Sequence, residues 1–215
     1  MRVLIILILF GCIGCRQNFS RNTESLKSIN NTYTRFKNNF KSVLIEHFPE
    51  KITHSESSVS SVTDLRRDDL GLYLYQYNVQ EKHIDSLEIS LFDLGFIEKY
   101  NSKDNCVLKV NPFETKGMNL ENKKPIIDKN LSIEKLCFEN KLPIPNFVDF
   151  NINSNTDFWK DGNFDIYVFG AEKGIFYNGL ELVSEQMPKE WGNGYSKGIA
   201  ISREQKIVIY WMVIW

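Results

Sequence analysis

Histidine and cysteine are the residues of this chain best suited to metal binding or nucleophilic catalysis. The three histidines, His47, His54 and His83, have none of the short spacings, such as H-x-x-x-H, that place two imidazoles on one metal ion. No G-x-S-x-G turn offers a serine nucleophile. Cys106 and Cys137 have no nearby histidine in the sequence to activate a thiol. The sequence therefore predicts no catalytic residue, no metal site and no cofactor.

A glycine-rich run at residues 192–198 (GNGYSKG) has the composition of a phosphate-binding loop. Such a loop binds phosphate when the amino terminus of a helix follows it. A strand pattern follows here, so we interpret the run as a turn that closes onto a strand. The charged run at residues 64–69 (DLRRDD) has the residue types of an acid/base or anion site, although a solvated loop is the commoner case.

Aromatic residues give the clearest indication of a binding surface. Residues 70–79 (LGLYLYQYNV) read as a strand, on which leucines point one way and tyrosines the other. With aromatic residues of later turns, the tyrosines could form a platform for a sugar or a partner protein. Cross-strand packing explains the tyrosines as well. The candidate aromatic surface comprises Tyr73, Tyr75, Tyr77, Trp191 and Tyr195, with Trp159 in another of the turns.

The amino-terminal residues Met1–Cys15 (MRVLIILILFGCIGC) have the arrangement of a secretory signal. Arg2 supplies a positive charge, residues 3–10 form an unbroken apolar run, and small residues follow. The run is far shorter than the roughly 20 apolar residues of a membrane-spanning helix. A glycine then precedes a cysteine twice, at Gly11-Cys12 and at Gly14-Cys15.

This ending resembles the lipobox of bacterial lipoproteins, which reads aliphatic, small or aliphatic, Gly or Ala, then Cys. Ile13 and Gly14 match the lipobox before Cys15, whereas Phe10 departs from it before Cys12. The resemblance therefore makes Cys15 the preferred lipid attachment site and Cys12 the alternative. It covers these residues only, and a plain secretory signal or an uncleaved apolar terminus is the other interpretation.

The resemblance also implies how the chain is divided and where it resides. Residues 1–14 would be a signal peptide, and residues 15–22 a lipid-anchored polar tether that reaches about 25 Å at most. Two or more acyl chains hold a protein stably at a bilayer. The expected location is the bacterial cell envelope, where the outer membrane or the periplasmic face is preferred over the cytoplasmic face.

Cys106 and Cys137 remain as a pair if Cys12 leaves with the signal and Cys15 is acylated. An even pair in an exported protein favours a disulfide. Such a bond would stabilise the chain by about 3–4 kcal/mol in the chain-entropy model. The alternative is that both cysteines are small apolar residues on buried faces.

Composition excludes several partners. Of the 215 residues, 42% are hydrophobic and 25% charged, as in ordinary globular proteins. The formal net charge is −1 and there is no basic block, so nothing favours nucleic-acid binding. The expected partners are the membrane, through covalent lipid, and an envelope protein or glycan.

The periodicity of apolar residues predicts an α+β fold. Residues 23–48 have the apolar stripe of one long helix, and residues 81–93 that of a shorter helix that stops at Gly95. Residues 131–140 read as a third helix. Strand pairs are predicted at 96–100 with 106–110, 164–169 with 175–177, and 197–202 with 206–215.

The final run (KIVIYWMVIW) is apolar on both alternating faces and belongs in the middle of a covered sheet. We therefore predict an antiparallel sheet of hairpins packed by a long N-terminal helix and two shorter helices. Residues 23–215 would form a single α+β domain, with 111–130 as the weakest point and the alternative boundary between two lobes.

From these features we expect a non-catalytic binding or interaction module of the cell envelope. An immunity-type protein that neutralises a toxin at the membrane is one concrete form. The alternative is an envelope hydrolase that uses a carboxylate pair assembled only by the fold. Paired acids in a deep cleft would favour the hydrolase, and an aromatic patch without such acids would favour binding.

Overall fold

A computed structural model describes residues 11–62, 69–111, 135–145, 147, 162–180 and 183–215. It has one six-stranded antiparallel sheet in the order β1-β2-β6-β5-β4-β3. The strands are β1 (Ser57–Val62), β2 (Leu70–Gln76), β3 (Glu98–Asn101), β4 (Asp165–Lys173), β5 (Gly194–Ser202) and β6 (Ile207–Ile214). The helices are α1 (Gly11–Lys37), α2 (Ser42–Ile45) and α3 (Glu81–Leu94), and short 3-10 turns lie at Leu136–Phe138 and Lys189–Trp191. The α+β class and the antiparallel sheet are confirmed.

Strand β6 lies inside the sheet, between β2 and β5, as its two apolar faces predict. Trp211 and Ile209 pack with the core on one face of the sheet, and Met212 and Ile214 with the core on the other. The hairpin that joins β5 to β6 is also confirmed, and Lys206 in its turn adopts a positive φ of 56°. Burial on both faces, not local propensity, fixes this strand at the centre.

Strand β2 also follows its sequence pattern. Leu70, Leu72 and Leu74 belong to one core and Tyr73 and Tyr75 to the opposite one. The polar segment before it contains β1, which lies at the edge of the sheet and has the sequence SSVSSV. A short, serine-rich strand suits an edge, where one face can stay in contact with solvent.

The predicted single helix over residues 23–48 is not what forms. Helix α1 begins at Gly11, ends at Lys37, and gives way to a turn and the short α2. The backbone of residues 15–22 lies within α1, so the segment predicted as a tether is helical and spans about 12 Å. The asparagines near residue 38 are poor helix formers, which is a physical reason for the early end.

Contacts with the following loop hold the carboxyl-terminal part of α1 in place. The side-chain amide of Asn30 donates to the Ile52 carbonyl, and its oxygen accepts from the Ile52 N–H, both at 2.8 Å. The Tyr33 hydroxyl is fully buried and donates to the Pro49 carbonyl at 2.7 Å. This part of the helix therefore lies over the leucine face of β2.

Helix α3 covers the other half of the same sheet face. Ile84 and Leu91 are buried against Ile199 and Val208. Gly95 caps the helix at φ 70°, where its N–H donates to the Leu91 and Phe92 carbonyls, as predicted. The apolar stripe of residues 81–93 consists of Ile84, Leu87, Leu91 and Phe92, and it predicts that all four are buried. For Phe92 this prediction is wrong, because 77% of that residue is exposed.

Two predicted hairpins are not formed. Strand β3 pairs with β4 and not with residues 106–110. Residues 106–110 pair with Ile144 instead, whose N–H donates to the Leu108 carbonyl and whose carbonyl accepts from the Val110 N–H. Strand β4 continues to Lys173 and pairs with β5, so residues 175–177 form no strand. The predicted helix at 131–140 is a 3-10 turn at Leu136–Phe138, and residues 131–134 and most of the suggested boundary at 111–130 lie outside the described residues.

Candidate functional site

The candidate aromatic surface does not exist as a surface. Tyr73 and Tyr75 are 7% and 2% exposed and pack in the core against Phe147 and Trp211. Tyr77 is half-buried and stacks on Tyr75 at a ring distance of 6.3 Å. The cross-strand explanation of the tyrosines is therefore correct.

The later aromatic residues are buried elsewhere. Trp191 packs against Trp215, whose indole N–H donates to the Trp191 carbonyl at 2.7 Å. Tyr195 is 8% exposed and belongs to the core that contains the β2 leucines, on the face opposite Tyr73. Trp191 therefore belongs to a different core cluster from Tyr73 and Tyr75, and Tyr195 lies on the opposite face of the sheet. Trp159 lies outside the part of the chain that the structure describes.

The three histidines do not converge. His47 is buried, and its Nε2–H donates to the Trp211 carbonyl at 2.9 Å. His54 contacts the Tyr77 carbonyl, and His83 is exposed on α3. Within the described ranges, no group of three His, Cys, Asp or Glu residues is placed to hold a metal ion.

A buried lysine joins α2 to the sheet. Lys197 lies on β5 with its side chain only 8% exposed, and its ammonium donates to the Val43 carbonyl at 2.7 Å and to Glu46 Oε1 at 2.6 Å. The hydrogen bond and the charge of Lys197 hold the pKa of the Glu46 carboxyl below its usual value. A buried ammonium requires such partners, because burial without them is costly.

The sequence-based predictions did not include this contact, although the sequence contains a signal for it. Tyr195, Lys197 and Ile199 share one face of β5, so a charged residue lies in an apolar row. An isolated charge in that position indicates a buried partner. The partner Glu46 could not be predicted, because it is 151 residues away in the chain.

A second carboxylate lies near the first. The Tyr195 hydroxyl donates to Glu172 Oε1 at 3.0 Å. Burial, followed by the Glu172 hydrogen bond and charge and by the charge of Glu46, raises the pKa of Tyr195 to about 12. A hydrolase of the predicted kind needs one carboxyl group with a raised pKa as its acid. Lys197 lowers the pKa of Glu46, so Glu46 is unsuited to that role.

An open cleft with a volume of about 380 Å³ lies beside this cluster. Its size falls within the range of small-ligand sites. Its apolar lining is partly aromatic, and none of the described residues that line it is a carboxylate. The lining residues are Asn39, Phe40, Lys41, Leu44, Phe176, Tyr177, Asn178 and Ile214.

Short-range hydrogen bonds shape the two loops that border the cleft. On one side, the Phe40 N–H donates to Lys37 and the Leu44 N–H to Lys41. On the other, the Leu180 N–H donates to the Tyr177 carbonyl across Gly179, which has a positive φ of 99°. Phe176 lines the cleft and packs against Tyr195 at a ring distance of 4.6 Å, which joins the cleft to the polar cluster.

The remaining predicted site residues are the cysteines. Cys106 and Cys137 form a disulfide with their sulfur atoms 2.00 Å apart. Cys137 is exposed, as is Leu136 at 95%, so the alternative of a buried apolar role does not hold for Cys137. The backbone of Cys12 and of Cys15 is part of helix α1. Of the charged run at 64–69, Asp69 alone falls within the described residues.

Comparisons with family models, curated proteins and solved structures find no match to this chain. No described helix combines the length and the apolar character needed to cross a bilayer.

Proposed function

We propose that the chain is a lipid-anchored protein of the bacterial cell envelope that binds a partner protein or an envelope polymer and catalyses no reaction. An immunity-type protein that neutralises a toxin at the membrane is one form of this function. The anchor is the Cys15 thiol, with Cys12 as the alternative. The open cleft is the observation that supports the binding role.

The lining of the cleft supports binding over hydrolysis. The lining includes the aromatic residues Phe40, Phe176 and Tyr177 and the amide-bearing residues Asn39 and Asn178. Aromatic faces with a few polar groups suit a sugar or a peptide side chain. A hydrolytic cleft would need two carboxylates, and none of the described lining residues supplies one.

The disulfide supports an exported location. Bonds of this kind persist in oxidising compartments such as the periplasm and are rare in the cytosol. The Cys106–Cys137 bond closes a separation of 31 residues. It is therefore consistent with a chain that leaves the cytoplasm.

We propose that α1 forms the link between anchor and sheet in the mature protein. The backbone is helical from Cys15 to Lys37, and Asn30 and Tyr33 hold the last turns of the helix. The sheet would then stand at a set distance from the bilayer, with the cleft close to the end of this helix, because Asn39 of the cleft lining follows Lys37 by two residues.

The anchor is testable by metabolic labelling of a bacterial host with an alkyne fatty acid. The full chain and its Cys12→Ser variant are expected to take up the label, whereas Cys15→Ser is expected to lose it. Mass spectrometry of the mature amino terminus should give an acylated Cys15. Equal labelling of all three chains, or a mature chain that keeps Met1, would contradict the proposal.

The cleft is testable by recovery of bound material from detergent-solubilised envelope and by sedimentation with purified peptidoglycan. Tyr177→Ala removes an exposed ring of the cleft and is expected to reduce recovery roughly fivefold to thirtyfold, as truncation of an aromatic anchor does. Leu136→Ala is the matched control, because Leu136 is exposed and does not line the cleft. Equal recovery with both variants would exclude the cleft.

A further inference from the structure

Residues 38–43 form one wall of the cleft and run from the end of α1 into the first half of α2. Asn39, Phe40 and Lys41 of this segment line the cleft. The segment is exposed, apart from half-buried Phe40, whereas residues 44–45 after it are buried. An exposed wall therefore continues directly into a buried anchor. We call residues 38–43 the flap.

Local hydrogen bonds hold the flap to α1. The N–H groups of Asn38, Asn39 and Phe40 donate to carbonyls in the last turn of that helix, at 3.1 Å each. At the other end of the flap, the Val43 carbonyl accepts from the Lys197 ammonium at 2.7 Å. Among the described residues, this is the single hydrogen bond from the flap to the sheet. An exposed segment with so few long-range hydrogen bonds opens locally at a low free-energy cost.

The chain on either side of the flap is fixed. After the flap, the His47 ring donates to the Trp211 carbonyl of β6 at 2.9 Å. The Pro49 carbonyl accepts from the Tyr33 hydroxyl at 2.7 Å, which joins the chain after α2 to α1. A loop whose ends are held together can move while the rest of the fold stays in place. Local opening is therefore confined to the flap.

Lys197 is placed to control this opening. Its stem lies beside Gly170 on β4, where an added Cβ would be 3.2 Å from the lysine Cε. Its ammonium donates to Glu46 Oε1 as well as to the Val43 carbonyl, so both partners belong to α2 or its C-cap. We propose that Lys197 is the positioning residue of the cleft and holds the flap in the closed position that completes the binding wall. This regulation of the cleft rests on the binding function proposed above.

Opening of the flap would remove one wall of the cleft. Phe40 on the flap and Tyr177 on the opposite loop both line the cleft, so a ligand held between them loses contacts when the flap opens. A ligand that binds the closed form more tightly shifts the population toward that form. Lys197 would therefore raise the affinity for the ligand, although it is not one of the described lining residues.

The test begins with amide hydrogen exchange, measured by NMR on the full chain without ligand. Lys197→Met removes the ammonium but keeps a long stem, and an apolar replacement of a buried ion pair often leaves a fold stable. Exchange at Phe40 and Leu44 is expected to be about tenfold faster in this variant, because the flap loses its bond to the sheet. The Ile52 N–H, beyond the flap, should keep its rate. Lys99→Met removes the lysine of an ion pair on β3 and should change none of these rates.

Sedimentation with purified peptidoglycan is the second measurement. Recovery of Lys197→Met is expected to fall by about threefold relative to wild type. A wild-type chain that does not sediment would count against the proposed function, and the exchange rates would then decide on the flap alone. Equal acceleration at Phe40, Leu44 and Ile52 would show a general loss of stability. That result, unchanged exchange at Phe40, or faster exchange there with undiminished recovery would overturn the proposal.

Discussion

The variant Cys106→Ser/Cys137→Ser is expected to unfold with a free energy lower by about 3–4 kcal/mol than the oxidised protein. The bond closes a separation of 31 residues, so its loss gives the unfolded chain many more conformations. Cys106 is half-buried and Cys137 is exposed, so serine removes little packing at either position. The measurement is urea unfolding, in which the midpoint should fall.

Reduction provides the control for this prediction. The wild-type chain in excess thiol reductant should unfold at the midpoint of the double variant, whereas the reductant should not shift the midpoint of the variant itself. A wild-type midpoint that is the same with and without reductant would show that the bond contributes nothing to stability.

Local sequence patterns predicted individual elements well where burial is two-sided or a cap is specific. Strand β6 has apolar side chains on both of its faces, and only a position inside the sheet buries both faces. Helix α3 ends at Gly95, because glycine adopts positive φ at low cost. In each case the signal lies within one short stretch of sequence.

The pairing of strands was predicted only where the connection is tight. The four-residue turn between Ser202 and Ile207 makes β5 and β6 neighbours. Residues 96–110 also contain two strand-like runs and a polar turn, yet β3 pairs with β4, more than 60 residues away. Alternation specifies which face a side chain occupies, but it does not specify which edge a strand joins.

The candidate site is harder to predict than the fold because it is assembled from distant segments. Leu44, Phe176 and Ile214 line one cleft, although more than 130 residues separate the first from the second. The aromatic residues that looked like a binding surface are large enough to be needed in the core instead. Lys197 had a usable signal that the sequence-based predictions did not include, because a charge in an apolar row requires a buried partner.

Acid is expected to destabilise the protein through His47. Its imidazole lies between Phe48 and Phe169, with ring distances of 4.6 and 5.6 Å, and it is 8% exposed. Burial lowers the pKa of His47 to about 4, and the charge of Lys197 acts in the same direction. The charge of Glu46 and the hydrogen bond to the Trp211 carbonyl oppose this shift but do not cancel it.

The sign of the effect follows from proton uptake. Between about pH 6.5 and pH 4 the unfolded chain protonates His47 and the folded chain does not, so acid favours unfolding. The unfolding free energy should be highest above pH 6.5 and should fall by about 3 kcal/mol as the pH reaches 4. Glu46 adds to this loss only at the acid end of the window, as the pH falls through the ordinary pKa of a glutamate, because Lys197 holds the folded-state pKa below that value.

The measurement is urea unfolding at a series of pH values between 7 and 4 for matched variants. In His47→Gln the side chain does not titrate, and its amide can still donate to the Trp211 carbonyl. The unfolding free energy of this variant should therefore stay nearly constant across the window. His83→Gln changes an exposed histidine and should keep the full slope of the wild type. If the unfolding free energy of His47→Gln falls as steeply as that of the wild type, another group is responsible, and the neutral imidazole of His47 is not what couples folding to pH.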